Sequence, residues 1–501
     1  MRLPVSTRSI ALVGMLLALC AVPIVTADPP RRAAAFAMNA RLGRGINMGD
    51  MFEAPSEGSW GNPYRPEYFR TIADLGFSHV RIPIRWETSE RSMAAPPYTI
   101  ESTFLARIRS VVDAALDAGL IVIINMHHHD ALYADPTTQR SRFLLQWRQI
   151  ATAFRDLPPE VLFEVLNEPH DQLTPALWNR YFSDALAEIR LTNPTRIVLM
   201  GTAEWGGLGA VPQISIPDDE NLILTIHYYN PFSFTHQGAE WVGAESNAWV
   251  GTRWHDTEFE RQEVENDFRV ANWISESRSI PIHVGEFGSY EKADMDSRAR
   301  WTRFLARWFE AQGWSWAYWE FSAGFGIYDT GRRTLREPLV NALLRDRMPS
   351  IKRPTATSIY RSDFSRSSDG WTIGNEGGAS SRLSISNGAL ELAVDRLGSE
   401  AWHVQLVKPS VPLVQGRMYR VTFVASATGI REATLYVGLA AAPWDSYSAY
   451  SVVTIVPRRE TYSVAFTMLA SSDPHARLVF DLGQSTEDVT IGSVMVEELE
   501  Y

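Results

Sequence analysis

The chain has 501 residues, of which 45% are hydrophobic and 21% charged, and its formal net charge is −11 at pH 7. A chain of this length and composition can bury a large core, which excludes disordered, collagen-like and repetitive classes and favours two domains. The acidic balance argues against nucleic acid, whose binding needs a basic surface, and against docking on an anionic membrane. We therefore expect a neutral partner.

Residues 1–27 have the pattern of a secretory signal peptide. Arg2 and Arg8 accompany an apolar run at 10–25, and small residues end the segment. We expect a secreted or periplasmic protein. The only cysteine, Cys20, lies in this segment, so the remaining chain is predicted to use neither disulfides nor cysteine chemistry. A lipid anchor on Cys20 is the alternative. No later run has the length of a membrane span.

Residues 36–350 alternate short apolar runs with longer segments of helical spacing. Several of the runs are nearly continuous in apolar residues, as in parallel strands that are covered on both faces. The segment 104–116 shows the amphipathic helical pattern and ends before Gly119. Eight such units predict an α/β fold of the TIM (β/α)8 barrel type, and no G-x-G-x-x-G follows the first run to support a doubly wound sheet. The predicted strands are 43–48, 79–86, 121–127, 162–167, 196–201, 222–228, 280–285 and 314–319.

The composition changes at residues 351–358, where Pro354 and alternating Thr and Ser predict a linker. Helical periodicity is absent from 359–501. Apolar and polar residues alternate there in short runs that are separated by turn signals, which predicts a β-sandwich. The runs are 389–394, 420–425, 433–439, 462–468 and 476–482.

Polar residues collect at the predicted carboxyl ends of six strands, which is where a TIM barrel forms its active site. Such side chains are costly to bury unless they bind one another or a ligand. They are Arg81, His127, His128, His129, Asn167, Glu168, His227, Tyr229, Glu286 and Trp319.

Two of these residues, Glu168 and Glu286, suit glycoside hydrolysis. That reaction needs one acid to protonate the leaving oxygen and a second carboxylate to attack the sugar. We expect low polarity to keep Glu168 protonated as the acid/base, and Arg81 with the Tyr229 hydroxyl to keep Glu286 ionised as the nucleophile.

Two neighbouring features have other interpretations. The run 127–129 of three histidines suggests a metal site, but successive strand side chains alternate faces and do not converge, so no metal is predicted. Glu164 lies deeper than Glu168 on the same strand face, and we expect it to pair with Arg81 or Arg85 in the interior.

Several motifs carry a family resemblance. R-G-I-N-M-G, H-V-R-I-P-I-R-W, I-N-M-H-H, F-E-V-L-N-E-P, G-T-A-E-W-G-G, G-E-F-G and W-A-Y-W-E-F together resemble glycoside hydrolase family 5, over about residues 38–345, and especially endoglucanases that cleave both β-1,4-glucan and β-1,4-mannan. The resemblance implies a retaining reaction without a cofactor. Asp50 stands where it leads us to expect Asn, and His129 where we expect Tyr. It implies these substrate-binding residues: Glu53, Arg81, His127, His128, Asn167, Trp205, His227, Tyr229, His236, Trp241 and Trp319.

The motifs W-H-V-Q-L at 402–406 and Y-R-V-T-F at 419–423 resemble jelly-roll carbohydrate-binding modules, notably the group with families 4, 9 and 22. The resemblance implies that sugars stack on exposed aromatic rings of this domain. It also implies that the domain can hold a structural calcium ion. Core packing is the alternative for the two tryptophans among the candidates. The candidates are Trp402, Trp444, Tyr447 and Tyr450.

Together these features predict a secreted, monomeric endo-β-1,4-glucanase that acts on cellulose, mixed-linkage glucan and glucomannan, with β-glucan polysaccharide as its partner. A β-mannanase and a β-1,3-glucan-active hydrolase or transglycosylase remain alternatives, because the same carboxylate pair serves all of them. A glycan-binding protein without catalysis is the alternative from another class. The presence of both Glu168 and Glu286 argues against it.

Overall fold

The computed structural model of the protein describes residues 31–501. The predicted signal peptide at 1–27 and Cys20 lie outside the described residues. The first domain is a closed barrel and the second consists of two antiparallel sheets. None of the described helices is both long enough and apolar enough to cross a membrane.

Eight parallel strands form the barrel, in which each strand pairs with the next and the eighth pairs with the first. This confirms the predicted TIM barrel, and each predicted strand overlaps one observed strand. The strands are β1 Arg44–Asn47, β2 His79–Ile82, β3 Ile121–Asn125, β4 Val161–Glu164, β5 Val198–Gly201, β6 Leu222–His227, β7 Ile282–Glu286 and β8 Ser315–Tyr318.

Helices surround the barrel, and the first one packs its apolar side against residues at the amino ends of the strands. The segment predicted from 104–116 lies within the third helix, which buries Ile108, Val111 and Val112. A capping box of Thr257 and Glu260 begins the eighth helix. The helices are α1 Ala33–Leu42, α2 Glu67–Leu75, α3 Ser102–Asp117, α4 Asp130–Ala134, α5 Pro136–Ala153, α6 Pro175–Arg190, α7 Phe232–Thr235, α8 Glu258–Asp267, α9 Arg269–Arg278, α10 Met295–Ala311 and α11 Glu337–Val340, with 3₁₀ turns at Leu208–Gln213, Ala244–Trp249 and Ala401–His403 and a π turn at Asn341–Arg345.

The carboxyl-terminal domain is a sandwich of a six-stranded and a five-stranded antiparallel sheet, as predicted, and the two sheets share one apolar core. Each of the five predicted runs overlaps a strand. A short hairpin, β9 Tyr328–Asp329 and β10 Thr334–Leu335, precedes it. The six-stranded sheet holds β11 Thr355–Ser362, β13 Ser380–Ser386, β14 Ala389–Arg396, β16 Met418–Ala427, β19 Glu460–Thr467 and β21 Val489–Glu500, and the five-stranded sheet holds β12 Thr372–Asn375, β15 Val404–Leu413, β17 Arg431–Gly438, β18 Ser451–Ile455 and β20 Asp473–Asp481.

The predicted linker at 351–358 is wrong at its carboxyl end, because β11 already begins at Thr355 and pairs there with Glu500 of β21. The first four residues of β11 are exposed. An exposed, polar edge strand has the composition of a linker, so only its pairing partner, far away in sequence, distinguishes the two.

The sandwich packs against α8 and α9 of the barrel. The guanidinium of Arg269 lies 4.4 Å from the ring centre of Tyr462 and 3.3 Å from a carboxylate oxygen of Glu460. The Asn266 amide donates to the Ser463 carbonyl at 3.2 Å. Contacts of three kinds, a cation over a ring, an ion pair and a hydrogen bond, thus hold the edge of the six-stranded sheet on the barrel.

Candidate active site

Arg81 lies at the centre of the barrel site, on β2, and its side chain is fully buried. A buried guanidinium must find acceptors for its donors, because an unpaired charge in the interior is very costly. Its Nε and Nη2 donate to the two oxygens of Glu164 at 2.6 and 2.7 Å, which confirms the predicted Arg81–Glu164 pair. Its Nη1 donates to Glu286 Oε1 at 2.7 Å. Asn47 and Asn167 accept two further hydrogen bonds, at 2.8 and 2.6 Å.

Glu286 is the last residue of β7, and both of its oxygens accept hydrogen bonds. Oε1 accepts from Arg81, and Oε2 accepts from the Tyr229 hydroxyl at 2.9 Å. Burial raises the pKa of Glu286, while His227, Arg81 and the Tyr229 hydrogen bond oppose that rise. Because a cation and a hydroxyl both donate directly to it, Glu286 is the carboxyl group that the site holds best in its ionised form.

We call the opening at the carboxyl ends of the barrel strands, where the two carboxyl groups lie, the groove. Glu168 follows β4 at this opening, and no cation contacts it directly. Its Oε1 lies 2.8 Å from His227 Nδ1. Burial raises the pKa of Glu168 to about 7, and the more distant charge of Arg81 only partly offsets that rise. One oxygen of Glu168 and one of Glu286 lie within 4.8 Å of each other. The two carboxyl groups are therefore close enough to act on the same bond of a ligand.

His227 ends β6 between the two carboxyl groups, with Nδ1 at 2.8 Å from Glu168 and 3.7 Å from Glu286. Burial lowers its pKa, so the imidazole is neutral near pH 7. A neutral ring can donate to an ionised Glu168 or accept from a protonated one, according to its tautomer. The backbone of Gly206, at φ +68°, lies so close to His227 that a Cβ atom at position 206 would be 3.0 Å from His227 Nδ1.

The three consecutive histidines do not meet at one point, although the rings of His127 and His128 pack edge to face with their centres 4.8 Å apart. The His127 ring stacks on Trp319 with the ring centres 5.5 Å apart, so both side chains lie at the groove. His128 is half-buried, and its ring lies 6.1 Å from that of Trp60. His129 is buried and accepts a hydrogen bond from a backbone N–H of α4 at 3.2 Å. The prediction that the three do not converge is confirmed.

Large exposed rings surround the groove. Trp205 is 57% exposed and Trp241 61%, and each is held by another aromatic side chain. Trp205 stacks on His170 with ring centres 3.5 Å apart, and Trp241 packs edge-on against Tyr290 at 4.9 Å. Rings that are exposed yet fixed suit stacking on the apolar faces of pyranose rings.

Two predicted substrate-binding residues are buried beneath the groove surface. Glu53 is 1% exposed and accepts the backbone N–H groups of Asp50 and Met51, so it orders the loop after β1. Burial and the nearby Asp50 raise the pKa of Glu53 to about 8. His236 is 8% exposed and stacks on Phe232 with ring centres 4.1 Å apart. Direct contact with a ligand is thus restricted to the edges of these two side chains.

Three residues of the site were missed in the sequence. Asn47 is a ligand of Arg81, His170 supports Trp205, and Glu320 is a buried carboxyl group beside Trp319 that accepts the backbone N–H of Ser322 at 3.0 Å. Each lies within three residues of a recognised motif residue, and that proximity was the available signal.

Candidate metal ligands converge at one place in residues 31–501, where Glu168, His227 and Glu286 each offer an atom within 4.8 Å of the others. Arg81 and Tyr229 already donate to both oxygens of Glu286, so a cation would compete with a guanidinium there. Within the described sandwich, acidic and histidine side chains form no such group of three. Because calcium also takes backbone carbonyl ligands, the calcium option for the sandwich stays a prediction from the sequence.

The sandwich carries exposed rings on the outer face of its five-stranded sheet. Trp444 is 49% and Tyr450 59% exposed. The guanidinium of Arg477 lies 4.5 Å from the Trp444 ring centre, and Tyr450 packs against Tyr436 at 4.7 Å. Trp402, 45% exposed, precedes β15 in the same sheet.

Tyr447 differs from the other candidate rings of the sandwich. It is half-buried against the sandwich core, and its hydroxyl donates to Asp473 at 2.9 Å. Its environment is therefore that of a structural residue, whereas Trp402, Trp444 and Tyr450 are 45%, 49% and 59% exposed.

Comparison with known proteins agrees with this geometry. Residues 43–324 match the model of the cellulase family, glycosyl hydrolase family 5, and residues 356–490 match a carbohydrate binding domain. Endoglucanase H of Acetivibrio thermocellus is 35% identical over 324 residues, which are 63% of this chain and 34% of that protein. The chain thus spans about a third of the length of this curated relative.

Solved structures of Thermotoga maritima Cel5A, one in complex with cellobiose and one with mannotriose, are similar to the barrel. Each is 47% identical, with a TM-score of 0.60, and the match covers 62% of this chain and 99% of the other. The similarity therefore extends over the whole of that protein and ends before the sandwich of this one.

Replacement of Arg81 tests whether the barrel depends on its buried charge network. We expect Arg81→Ala to lower the free energy of unfolding by ~3–5 kcal/mol, because it leaves Glu164 and Glu286 buried without a cation. Arg70→Ala removes an exposed pair with Asp74 and should cost under ~1 kcal/mol. Chemical denaturation at pH 7 measures both. Equal effects of the two substitutions would contradict the central role of Arg81.

Proposed function

The chain belongs to glycosyl hydrolase family 5, and from this premise we propose that it is an endo-acting β-1,4-glucanase that retains the configuration of the anomeric carbon. The observation that carries the proposal is the separation of Glu168 and Glu286, whose nearest oxygens lie within 4.8 Å. Retaining enzymes place their two carboxyl groups about 5–5.5 Å apart, whereas inverting enzymes need ~6.5–9.5 Å to admit a water molecule.

The environments of the two carboxyl groups support different roles. In the first step the Glu286 carboxylate attacks the anomeric carbon, while Glu168 gives its proton to the glycosidic oxygen and the C–O bond breaks. Glu168, now ionised, takes a proton from water, and the water oxygen displaces Glu286 from the same carbon. The direct donors of Glu286 favour an ionised nucleophile, and the pKa of about 7 keeps a proton on Glu168 below neutral pH.

The proposed substrates are cellulose, mixed-linkage glucan and glucomannan. The name of the endoglucanase relative and the cellobiose complex support β-1,4-glucan, and the mannotriose complex supports glucomannan as well. Of the two departures from the family pattern, His129 is buried and caps a helix, which supports a role away from the sugar. Asp50 lies in the loop that Glu53 orders, and it is the departure closer to the groove residues.

We further propose that the sandwich binds the same glycan through Trp402, Trp444 and Tyr450. Their exposure and the match to a carbohydrate binding domain support this. Secretion and a monomeric state remain predictions from the sequence.

Substitution of each carboxyl group separates the two proposed roles. We expect Glu286→Gln to lower kcat at least ~10³-fold on every substrate, because the nucleophile is lost. Glu168→Gln should lower kcat/KM ~10²–10⁴-fold on cellotetraose but far less on an aryl cellobioside, because kcat/KM reports the first step and the aryl leaving group needs little protonation there. Glu240→Gln, at an exposed position beside the groove, serves as the control and should keep the parent rate.

The same assay defines the substrate and the stereochemistry. The parent is incubated with carboxymethylcellulose, mixed-linkage β-glucan, glucomannan, galactomannan and laminarin, and NMR follows the first anomer formed. Cleavage of the first three with retention is expected. Preference for galactomannan or laminarin would contradict β-1,4-glucan as the proposed substrate. A first product with inverted configuration would contradict the retaining reaction. Cleavage of none of the five would favour a glycan-binding protein.

The pH profile of kcat/KM should be bell-shaped. Activity is expected to fall as the pH rises through about 7, where Glu168 loses its proton, and to fall again at low pH as Glu286 gains one. Tyr229→Phe removes a donor to the ionised form of Glu286, so its pKa should rise and the acidic limb should move to higher pH. The alkaline limb is the internal control. A profile shifted at both limbs, or at neither, would argue against the assignment.

Glycan binding by the sandwich is tested in the full-length, inactive Glu286→Gln protein. Trp444→Ala and Trp402→Ala should each weaken retention on insoluble cellulose severalfold, because each removes an exposed stacking ring. Tyr447→Phe keeps a half-buried ring and should behave as the parent. If neither tryptophan matters, the sandwich has another role.

A further inference from the structure

A second cleft, of about 920 Å³, lies between the barrel and the sandwich, apart from the catalytic groove. Its volume is within the ~300–1,000 Å³ of ligand sites. The barrel wall comes from the segments after β5 and β6 and from α8, and the sandwich wall comes from β18, β19 and the turn at 484–485.

The sandwich wall is unusual because it is the open edge of both sheets. β18 is the last strand of the five-stranded sheet and β19 the last of the six-stranded sheet. Edge strands present backbone N–H and C=O groups that no further strand pairs with. The Asn266 amide uses one of them, the Ser463 carbonyl, at 3.2 Å. The remaining edge suits a ligand that both donates and accepts hydrogen bonds.

The barrel wall supplies polar side chains and two donors without partners in the described part of the chain. The indole N–H of Trp254, a residue only 1% exposed, has no acceptor, and neither does Nε of Arg269. Both residues line the cleft. Both nitrogen atoms are themselves buried, so a ligand in the cleft instead meets the exposed polar side chains of this wall, among them Gln213 and Glu263.

The cleft lies between the two surfaces that are proposed to bind glycan. On the barrel side, Asn230 lines it and directly follows Tyr229, the residue that donates to Glu286. Leu208 also lines it, three residues after the exposed Trp205. On the sandwich side, Ala449 and Ser451 line it, on either side of the exposed Tyr450.

We propose that this cleft binds a stretch of the β-glucan chain, so that one polysaccharide molecule contacts the catalytic groove, the cleft and the sandwich face. The inference rests on the proposed function and extends its binding surface. Neutral hydroxyl groups match a wall of amides, carboxyl groups and backbone edges, whereas the acidic Glu263 and Asp267 disfavour an anionic polymer.

Val452 provides the test, because its side chain lines the cleft and is 59% exposed. Val452→Trp fills the cleft without removing a core side chain. Val414→Trp is the matched control, since Val414 is 49% exposed in the same domain and does not line the cleft. In the inactive Glu286→Gln protein, Val452→Trp should raise the Kd for soluble mixed-linkage β-glucan at least about threefold and leave the Kd for cellotetraose unchanged. Val414→Trp should change neither value.

The outcomes separate this inference from the proposed function. An unchanged Kd for the polymer in Val452→Trp overturns the cleft proposal. The proposal is also overturned if Val452→Trp no longer raises this Kd in a protein that carries Trp444→Ala, because the effect then arises at the sandwich face. Loss of cellotetraose hydrolysis in the parent would instead refute the proposed function. If Val452→Trp unfolds, the double variant Gln213→Ala/Gln484→Ala, which removes one exposed amide from each wall, should weaken polymer binding in the same direction. Parent-like polymer binding by that variant overturns the proposal.

Discussion

The catalytic end of the barrel depends on one buried guanidinium finding a full set of acceptors. Arg81, on β2, donates to Asn47 of β1, to Glu164 at the end of β4 and to Glu286 at the end of β7. The positions of these three side chains are therefore determined together. The free-energy cost of removing such a group from water is offset only when several partners bind it at short distance. Glu286, the proposed nucleophile, is therefore held by the same network that makes the interior polar, and its geometry cannot relax independently of the barrel.

That network also explains how two glutamates in one cavity acquire different proton affinities. Burial raises the pKa of both, so burial alone cannot distinguish them. The distinction comes from direct donors: Glu286 has a guanidinium and a hydroxyl, whereas Glu168 has a neutral imidazole. Since the two carboxyl groups lie within 4.8 Å, ionisation of one also disfavours ionisation of the other. The direct donors thus favour the ionised form of Glu286, whereas burial raises the pKa of Glu168 to about 7.

The sequence predicted most of this architecture because its signals are local. The eight strands follow from apolar runs, and the polar residues that end them identify the site, since barrel strands all end at the same face. What the sequence leaves open depends on side-chain direction or on distant partners. The roles predicted for Glu53 and Tyr447 stay predictions, because no local pattern shows that Glu53 faces its own loop or that the Tyr447 hydroxyl bonds to Asp473. β11 was taken for a linker because its partner β21 lies at the other end of the domain. The interdomain cleft was beyond prediction for the same reason.

The docking of the sandwich on the barrel resolves a general difficulty of open sheets. Strands β18 and β19 leave two edges that would otherwise be available for pairing with another chain. Arg269 and Asn266 of the barrel contact one ring, one carboxylate and one carbonyl of β19, whereas β18 lines the cleft between the two domains. The barrel beside this open edge leaves space for a ligand chain but no room for a further sheet, which agrees with the proposed glycan in the cleft. The position of the sandwich therefore anchors β19 on the barrel and leaves polar backbone of β18 and β19 facing the interdomain cleft.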